Sequence, residues 1–350
     1  MWYHAGPERI GSGPVCLEGP MANIALTYKC NLRCPYCFAG EFVGEADESI
    51  SLESFDAAVE FLTRRGPATI GIIGGEPTLH PDFGTMLQRL ADNPRVAGAT
   101  VYTNGILLDR SFGLVEHPKL SLLVNWNSPD IIGQKAFAKT MENIDDLVFR
   151  RGMEKRINLG LNLYDTTMDY GYMLDLLTRY GFDKLRISIT VPDFSKEEPG
   201  DVIAYFQEKK PFLMELFRAL DGIGVLPYYD CNRPPSCIWS PEELAWLQDY
   251  AARHGKPDSS IAHTKSFCRP VIDILPNLQA IRCFGMSEFA KADIREFVDT
   301  EALTAHFMRI VDRPSFRVFA KPECENCYLR RQWLCTQGCI AFKAGKLEQA

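Results

Sequence analysis

Three cysteines in the spacing C-x3-C-x2-C, Cys30, Cys34 and Cys37, follow directly on a strand-like run at 23–28 (NIALTY). Three thiolates on one loop can hold three corners of a cubane iron–sulfur cluster and leave a fourth iron free for a substrate or cofactor. The same triplet could bind zinc, with a His or Asp from elsewhere completing the site. It belongs to a set of twelve cysteines in 350 residues. The chain does not open on a basic start followed by a continuous apolar stretch, so no secretory signal is visible. With most cysteines in tight C-x-x-C-like groups, reduced thiolates in a cytoplasmic setting are expected rather than a disulfide framework.

No apolar run approaches the ~20 residues of a membrane-spanning helix. The net charge is −7, whereas a duplex-binding protein carries a basic footprint. Neither a membrane nor a nucleic acid is an expected partner. At 46% hydrophobic, the chain can build one large domain and a smaller one.

Runs rich in Val, Ile, Leu and Thr recur at 23–28, 68–73, 99–103, 120–125, 156–163 and 184–190. They are mostly apolar on both faces, as strands of a covered parallel sheet should be. Helix-period segments lie between them. At 52–64, Leu52, Phe55, Val59 and Leu62 share a face and Ser51 supplies an N-cap. The segments 133–149 and 168–180 behave similarly. Six such units are too few for a closed eight-fold barrel and predict an α/β fold, a partial barrel. A helical stretch at 203–220, interrupted by Pro211, leads into a Pro- and Cys-rich run. The expected organisation is an N-terminal extension at 1–22, the barrel at 23–225 and a small, metal-stabilised, cysteine-rich domain at 226–350.

Gly74, Gly75, Glu76 and Pro77 close the second strand, and Thr103, Asn104 and Gly105 the third. A glycine pair lets backbone approach a ligand closely; Glu76 can accept hydrogen bonds from an ammonium group, and Pro77 stiffens the turn. With the triplet, all three segments fall at the C-terminal ends of parallel strands, where α/β folds assemble their sites.

On these residues the chain resembles the radical S-adenosylmethionine (radical SAM) superfamily. CNLRCPYC is similar to its CxxxCxΦxC signature, with Tyr36 in the aromatic position, and GGEPTLHP resembles its GGEP motif. The resemblance covers about residues 23–190 and implies a partial (β/α)6 radical SAM barrel. It implies that Cys30, Cys34 and Cys37 bind a [4Fe–4S] cluster whose unique iron is chelated by SAM, with Gly74, Gly75, Glu76 and Pro77 at the SAM amino group. It also suggests Tyr36, Thr103, Asn125 or Asn127, Arg186 and Ser188 as SAM contacts; for the last four, ordinary strand-end polar residues would read the same. The implied chemistry is the cofactor's: one electron, from a flavodoxin- or ferredoxin-type donor, cleaves SAM, and a 5′-deoxyadenosyl radical takes hydrogen from a substrate over the barrel mouth.

Eight further cysteines are Cys231, Cys237, Cys268, Cys283, Cys324, Cys327, Cys335 and Cys339, leaving Cys16 over as a free thiol. Eight thiolates suffice for two cubanes. A structural zinc, or free thiols at Cys231 and Cys237, are the plainer readings. CRPVIDILPNLQAIRC and CENCYLRRQWLCTQGCIAF resemble the SPASM/twitch extension of some radical SAM enzymes. Leu278 stands where a Gly is usual there, with neighbouring Asn277 able to take a left-handed turn. No cysteine follows Cys339 to complete a second auxiliary cluster as in full SPASM members. The resemblance thus implies one auxiliary [4Fe–4S] cluster, or two if Cys231 or Cys237 substitutes as a ligand or if one iron stays open to bind substrate.

Auxiliary clusters in such enzymes carry an electron from a substrate radical or position the substrate, so the expected activity is that of an oxidoreductase. Oxidation or cross-linking of a peptide or protein side chain leads. A twitch-type dehydrogenation of a small amino-cyclitol or amino-sugar is the alternative, favoured by the absent final cysteine and the short segment before the first strand. Corrin-dependent methyl transfer and molybdopterin-type cyclisation are not expected, for want of an extra domain and a Gly-Gly tail. Intact motifs oppose a non-catalytic scaffold. Asp230, just before Cys231, is a candidate proton acceptor. His80, His117, His254, His263 and His306 read as surface or capped histidines, and 192–201 as a solvated loop placed to line a substrate site.

Overall fold

A computed structural model describes residues 22–37, 40, 42, 48–191, 201–262, 266–268, 270–287 and 289–347. Cys16, His263, most of the 192–201 loop and the N-terminal extension up to residue 21 lie outside the described residues.

The strands are β1 (Ala22–Ala25), β2 (Ala68–Ile73), β3 (Val96–Thr103), β4 (Leu120–Asn125), β5 (Ile157–Leu163), β6 (Lys184–Ile189), β7 (Leu226–Tyr229), β8 (Ile272–Ile274), β9 (Gln279–Ile281) and β10 (Lys291–Asp293). They form one open sheet in the order β10-β9-β8-β1-β2-β3-β4-β5-β6-β7. From β8 through β7 every neighbouring pair is parallel, and β8, β9 and β10 form an antiparallel meander. The longer helices are α1 (Leu52–Thr63), α2 (Phe83–Asp92), α3 (Gln134–Asp145), α4 (Gly171–Tyr180), α5 (Val202–Gly222), α6 (Pro241–Arg253) and α7 (Thr300–Phe307).

All six expected strands form, and the parallel run then exceeds the expected six: β7 extends it beside β6, and β8 beside β1. The division expected at 225 therefore does not separate two sheets, because both flanking strands come from the cysteine-rich part. The helix expected to break at Pro211 runs unbroken. Pro211 and Gln207 are both exposed, so water can take up the carbonyl that the missing N–H leaves free.

Side chains alternate across the strands. One row, including Ile24, Ile72, Val101, Leu122, Leu159 and Ile187, is fully buried in the core, each residue contributing roughly 1.5–3 kcal/mol. Helix α1 shows how the core is covered: the Ser51 side chain accepts the Ser54 N–H at its start, and Phe55, Ala58, Val59, Phe61 and Leu62 are buried. The opposite row differs from the expectation of strands apolar on both faces. It carries Asn23, Tyr102, Asn125, Asn162, Arg186 and Tyr228, with Asn23 paired in register to Asp273 and Arg186 to Tyr228. This second face is polar, and Arg186 on it is only 8% exposed, so it borders a poorly solvated space, the lumen.

Candidate active site and cysteine centres

The loop leaving β1 carries the triplet and is clamped by the end of β2. Gly75 N–H donates to Thr27 O at 2.7 Å and Glu76 N–H to Lys29 O at 2.8 Å. A Cβ on Gly75 would stand 2.3 Å from Lys29 O, and one on Gly74 2.5 Å from Thr27 O. The glycine pair admits the backbone of the cysteine loop at this distance. Within the loop, Leu32 N–H points at Cys30 Sγ (3.4 Å) and Asn127 Nδ2 at Cys34 Sγ (3.4 Å). Burial, then the charges of Cys37 and Cys30, push the Cys34 thiol up to about 11; burial likewise raises Cys30. Cys30 and Cys34 both feel Cys37, so the three thiols are grouped, and the N–H donors are those that stabilise a thiolate.

Glu76 is fully buried. Its Oε1 accepts from Thr78 N–H (3.2 Å), Thr78 Oγ1 (2.7 Å) and Thr103 Oγ1 (2.8 Å), and its Oε2 from Asn104 N–H (2.8 Å). Burial raises its pKa and these bonds oppose the rise. Thr103 thus supports Glu76. Asn104, overlooked as a site residue although it lies in the same TNG turn, reaches the cysteine loop through Nδ2 to Asn31 Oδ1 (2.7 Å).

Tyr36 stacks on Tyr164 with ring centroids 4.3 Å apart and donates its hydroxyl to Asn127 Oδ1. Asn127 therefore touches the triplet, whereas Asn125 turns to the lumen. There Arg186 donates through Nε to Asp230 Oδ2 (2.7 Å) and through Nη1 to Asn162 Oδ1 (3.1 Å) and Asn125 Oδ1 (3.4 Å). Asp230 Oδ1 is buried without a hydrogen-bond partner among the described residues. Ser188 lies on β6 opposite Asn162. Asn127 is thus bonded to Cys34, and Asn125, two residues earlier, belongs with Arg186 to the group that ends at Asp230, the neighbour of Cys231.

The later cysteines are drawn together from three segments. Asn232, with φ of 49°, anchors the first by donating to Ile189 O at 2.6 Å. Ser266 Oγ reaches Arg233 O (3.3 Å), and Cys268 N–H donates to Thr336 Oγ1 (3.0 Å), joining the second segment to the first and third. Burial dominates the raised pKa of Cys231, followed by the charges of Cys268 and Cys283. Cys339 feels Cys268, Cys231 and Cys283 after burial. Cys237 instead feels Lys321, Cys324 and Cys327, and Cys335 feels Cys237, Cys327 and Cys324. The eight sulfurs fall into two neighbourhoods of four. Cys231 keeps exposed surface.

Among the described residues no three His, Cys, Asp or Glu side chains converge tightly enough to clasp a single metal ion; a cubane needs its thiolates further apart, because each binds a different iron. The donor sets, all thiol and backed by N–H groups, fit iron–sulfur clusters.

The left-handed residue in the β8–β9 turn is Leu278, with φ of 65°, and not Asn277. Asn277 caps the turn through its side chain, Oδ1 accepting Gln279 N–H at 3.1 Å. His80 is buried and capped, Nε2 lying 2.8 Å from Ile50 O. No helix among the described residues is long and apolar enough to cross a membrane.

A mostly parallel α/β sheet with a three-cysteine loop at the mouth of its first strand defines an iron–sulfur enzyme architecture. Residues 24–130 match the family model of the Radical SAM superfamily, so this stretch of the chain carries a radical SAM domain, a family that implies a [4Fe–4S] cluster and SAM. It is 28% identical over 149 residues to GTP 3′,8-cyclase of Vibrio cholerae, covering 39% of this chain and 44% of that one, less than half the length of that relative. It is 27% identical over 246 residues to the tungsten-containing aldehyde ferredoxin oxidoreductase cofactor-modifying protein of Pyrococcus furiosus, covering 64% of this chain and 67% of that one. Its fold is similar to native anSMEcpe with bound AdoMet and Kp18Cys peptide (TM-score 0.62, 18% identity, 93% of this chain, 91% of that one). It is also similar to Streptococcus suis SuiB bound to precursor peptide SuiA (TM-score 0.59, 14% identity, 93% and 72%).

Proposed function

We propose that this chain is a radical SAM oxidoreductase that oxidises or cross-links a side chain of a peptide or protein. When bound, a reduced cluster and SAM supply a radical able to take hydrogen from carbon. Cys30, Cys34 and Cys37 would hold that cluster, and the Glu76, Thr103 and Asn104 turn would fix the loop beneath SAM. Tyr36 and Tyr164 would wall the mouth against water. The carrying observation is that β4 ends in Asn125, bonded to Arg186 and through it to Asp230 beside Cys231, and two residues on reaches Asn127, bonded to Cys34. It supports a polar lumen between the triplet and the later cysteines, where a bound substrate would border both. The peptides held by the anSMEcpe and SuiB structures support this substrate class.

The later cysteines are read as two four-thiolate sites. Cys231, Cys268, Cys283 and Cys339 form the first; Cys237, Cys324, Cys327 and Cys335 form the second, with Cys237 standing in for a later cysteine. Such clusters fit a reducing cytoplasm and a flavodoxin- or ferredoxin-type donor.

Anaerobically reconstituted protein with dithionite and SAM should release 5′-deoxyadenosine, and the C30A/C34A/C37A variant should release none. Release by that variant would overturn the assignment. Loss of two hydrogens from one member of a peptide library, seen by mass spectrometry, would support the substrate class; turnover of amino-cyclitols alone would overturn it.

A further inference from the structure

Arg282 ends the hairpin between Cys268 and Cys283 and is 1% exposed. Burying a guanidinium costs several kcal/mol unless it is paired and its donors are used. All five of its N–H groups have a destination. Nε faces Asp312 Oδ2 (3.4 Å), and Nη2 serves Asp312 Oδ1 (2.7 Å) and Cys268 O (2.9 Å). Nη1 points at Cys268 Sγ (3.3 Å) and Cys283 Sγ (3.7 Å). Asp312, itself 2% exposed, grips one edge of the plane and thereby aims the other edge at two sulfurs. A surface arginine would not need such a mount, and a purely structural ion pair would not spend two donors on thiols.

We propose that Arg282, oriented by Asp312, is a positioning residue that fixes the Cys268 and Cys283 thiolates and raises the reduction potential of the cluster they help to hold. This rests on the four-thiolate reading of Cys231, Cys268, Cys283 and Cys339. A fully thiolate-ligated cubane gains one negative charge on reduction, so a buried cation hydrogen-bonded to two of its sulfurs favours the reduced state. The Asp312 carboxylate partly offsets that effect. The two members of the pair should therefore act in opposite directions.

The test is a potentiometric titration followed by electron paramagnetic resonance, on protein reconstituted in the C30A/C34A/C37A background. The second four-thiolate site serves as the internal reference. R282Q should shift the first cluster's potential downward and D312N upward, with the reference unmoved and the iron content of both variants retained. R282K, which keeps the charge without the two-sulfur geometry, should fall between R282Q and the parent. Should R282Q fail to hold iron, D312N and R282K decide: a rise in the first with a fall in the second supports the proposal. Potentials unchanged, or moved in one direction by R282K and D312N alike, overturn it while leaving the cluster reading intact. If adding C231A/C268A/C283A/C339A removes no iron, the cluster reading itself fails, and the proposal with it.

Discussion

Arg186 and Asp230 meet through a 2.7 Å Nε to Oδ2 hydrogen bond where β6 and β7 deliver them to the lumen. Their side chains are only 10% and 16% exposed, so removing one partner strands a charge in a poorly solvated place. R186M and D230L should each cost about 3 kcal/mol, while R186M/D230L should cost clearly less than the sum. Urea unfolding of the three variants measures this; strict additivity would mean the pair is not energetically coupled.

The clamp between β2 and the cysteine loop leaves no room for a methyl group at Gly75, because the atoms a Cβ would meet are backbone. G75A should destabilise the protein by about 3 kcal/mol. It should also lower iron retention at the triplet while sparing the later cysteines. Iron analysis of G75A against G75A with C30A/C34A/C37A separates the two pools; equal iron in G75A and the parent would contradict the clamp.

Glu76 accepts from four protein donors at once. An amide in its place turns one oxygen into a donor facing another donor. E76Q should therefore lose about 2 kcal/mol of stability, whereas T103V, which removes one donor to Glu76 and the acceptor of the Gly105 N–H, should lose about 1.5 kcal/mol. Chemical denaturation should rank them in that order.

Asp273 is buried beside Asn23, whose Nδ2 donates to its Oδ1 at 2.6 Å, and burial pushes its carboxyl up to about 7. A carboxyl raised in the folded state contributes stability that is complete below its unfolded value, about 4, and lost as pH climbs through about 7. The loss amounts to about 4 kcal/mol at most. D273N keeps the Asn23 bond and removes the charge. It should be more stable than the parent at pH 8 and comparable near pH 4, and a constant difference across that range in thermal melts would refute the account.

The six strands and the helix capped by Ser51 were legible because apolar runs and cap chemistry are local. The seventh strand was not. Pro227 in LPYY reads as a strand breaker, yet β7 is the edge of the sheet and one side of it needs no partner. The polar lumen was hidden for a related reason: Asn125, Asn158 and Asn162 are diluted among leucines in sequence, and only pairing across strands puts them on one face. The cysteines could be counted and grouped by spacing. Which of them stand together depends on contacts such as Cys268 N–H to Thr336 Oγ1, which no spacing reveals. At Leu278 the side chain is 7% exposed, so its burial offsets a backbone conformation costing about 1–2 kcal/mol, a trade invisible until the hydrophobic surroundings are known.

Strand β1 has β2 along one side and β8 along the other. It leads directly into Cys30, while β8 lies between Cys268 and Cys283. A gene cut at residue 225 would leave β1 with a bare flank and Asn23 without Asp273. The cysteine-rich part is thus no detachable appendage, and swapping it between relatives would demand that the incoming hairpin match this strand's register.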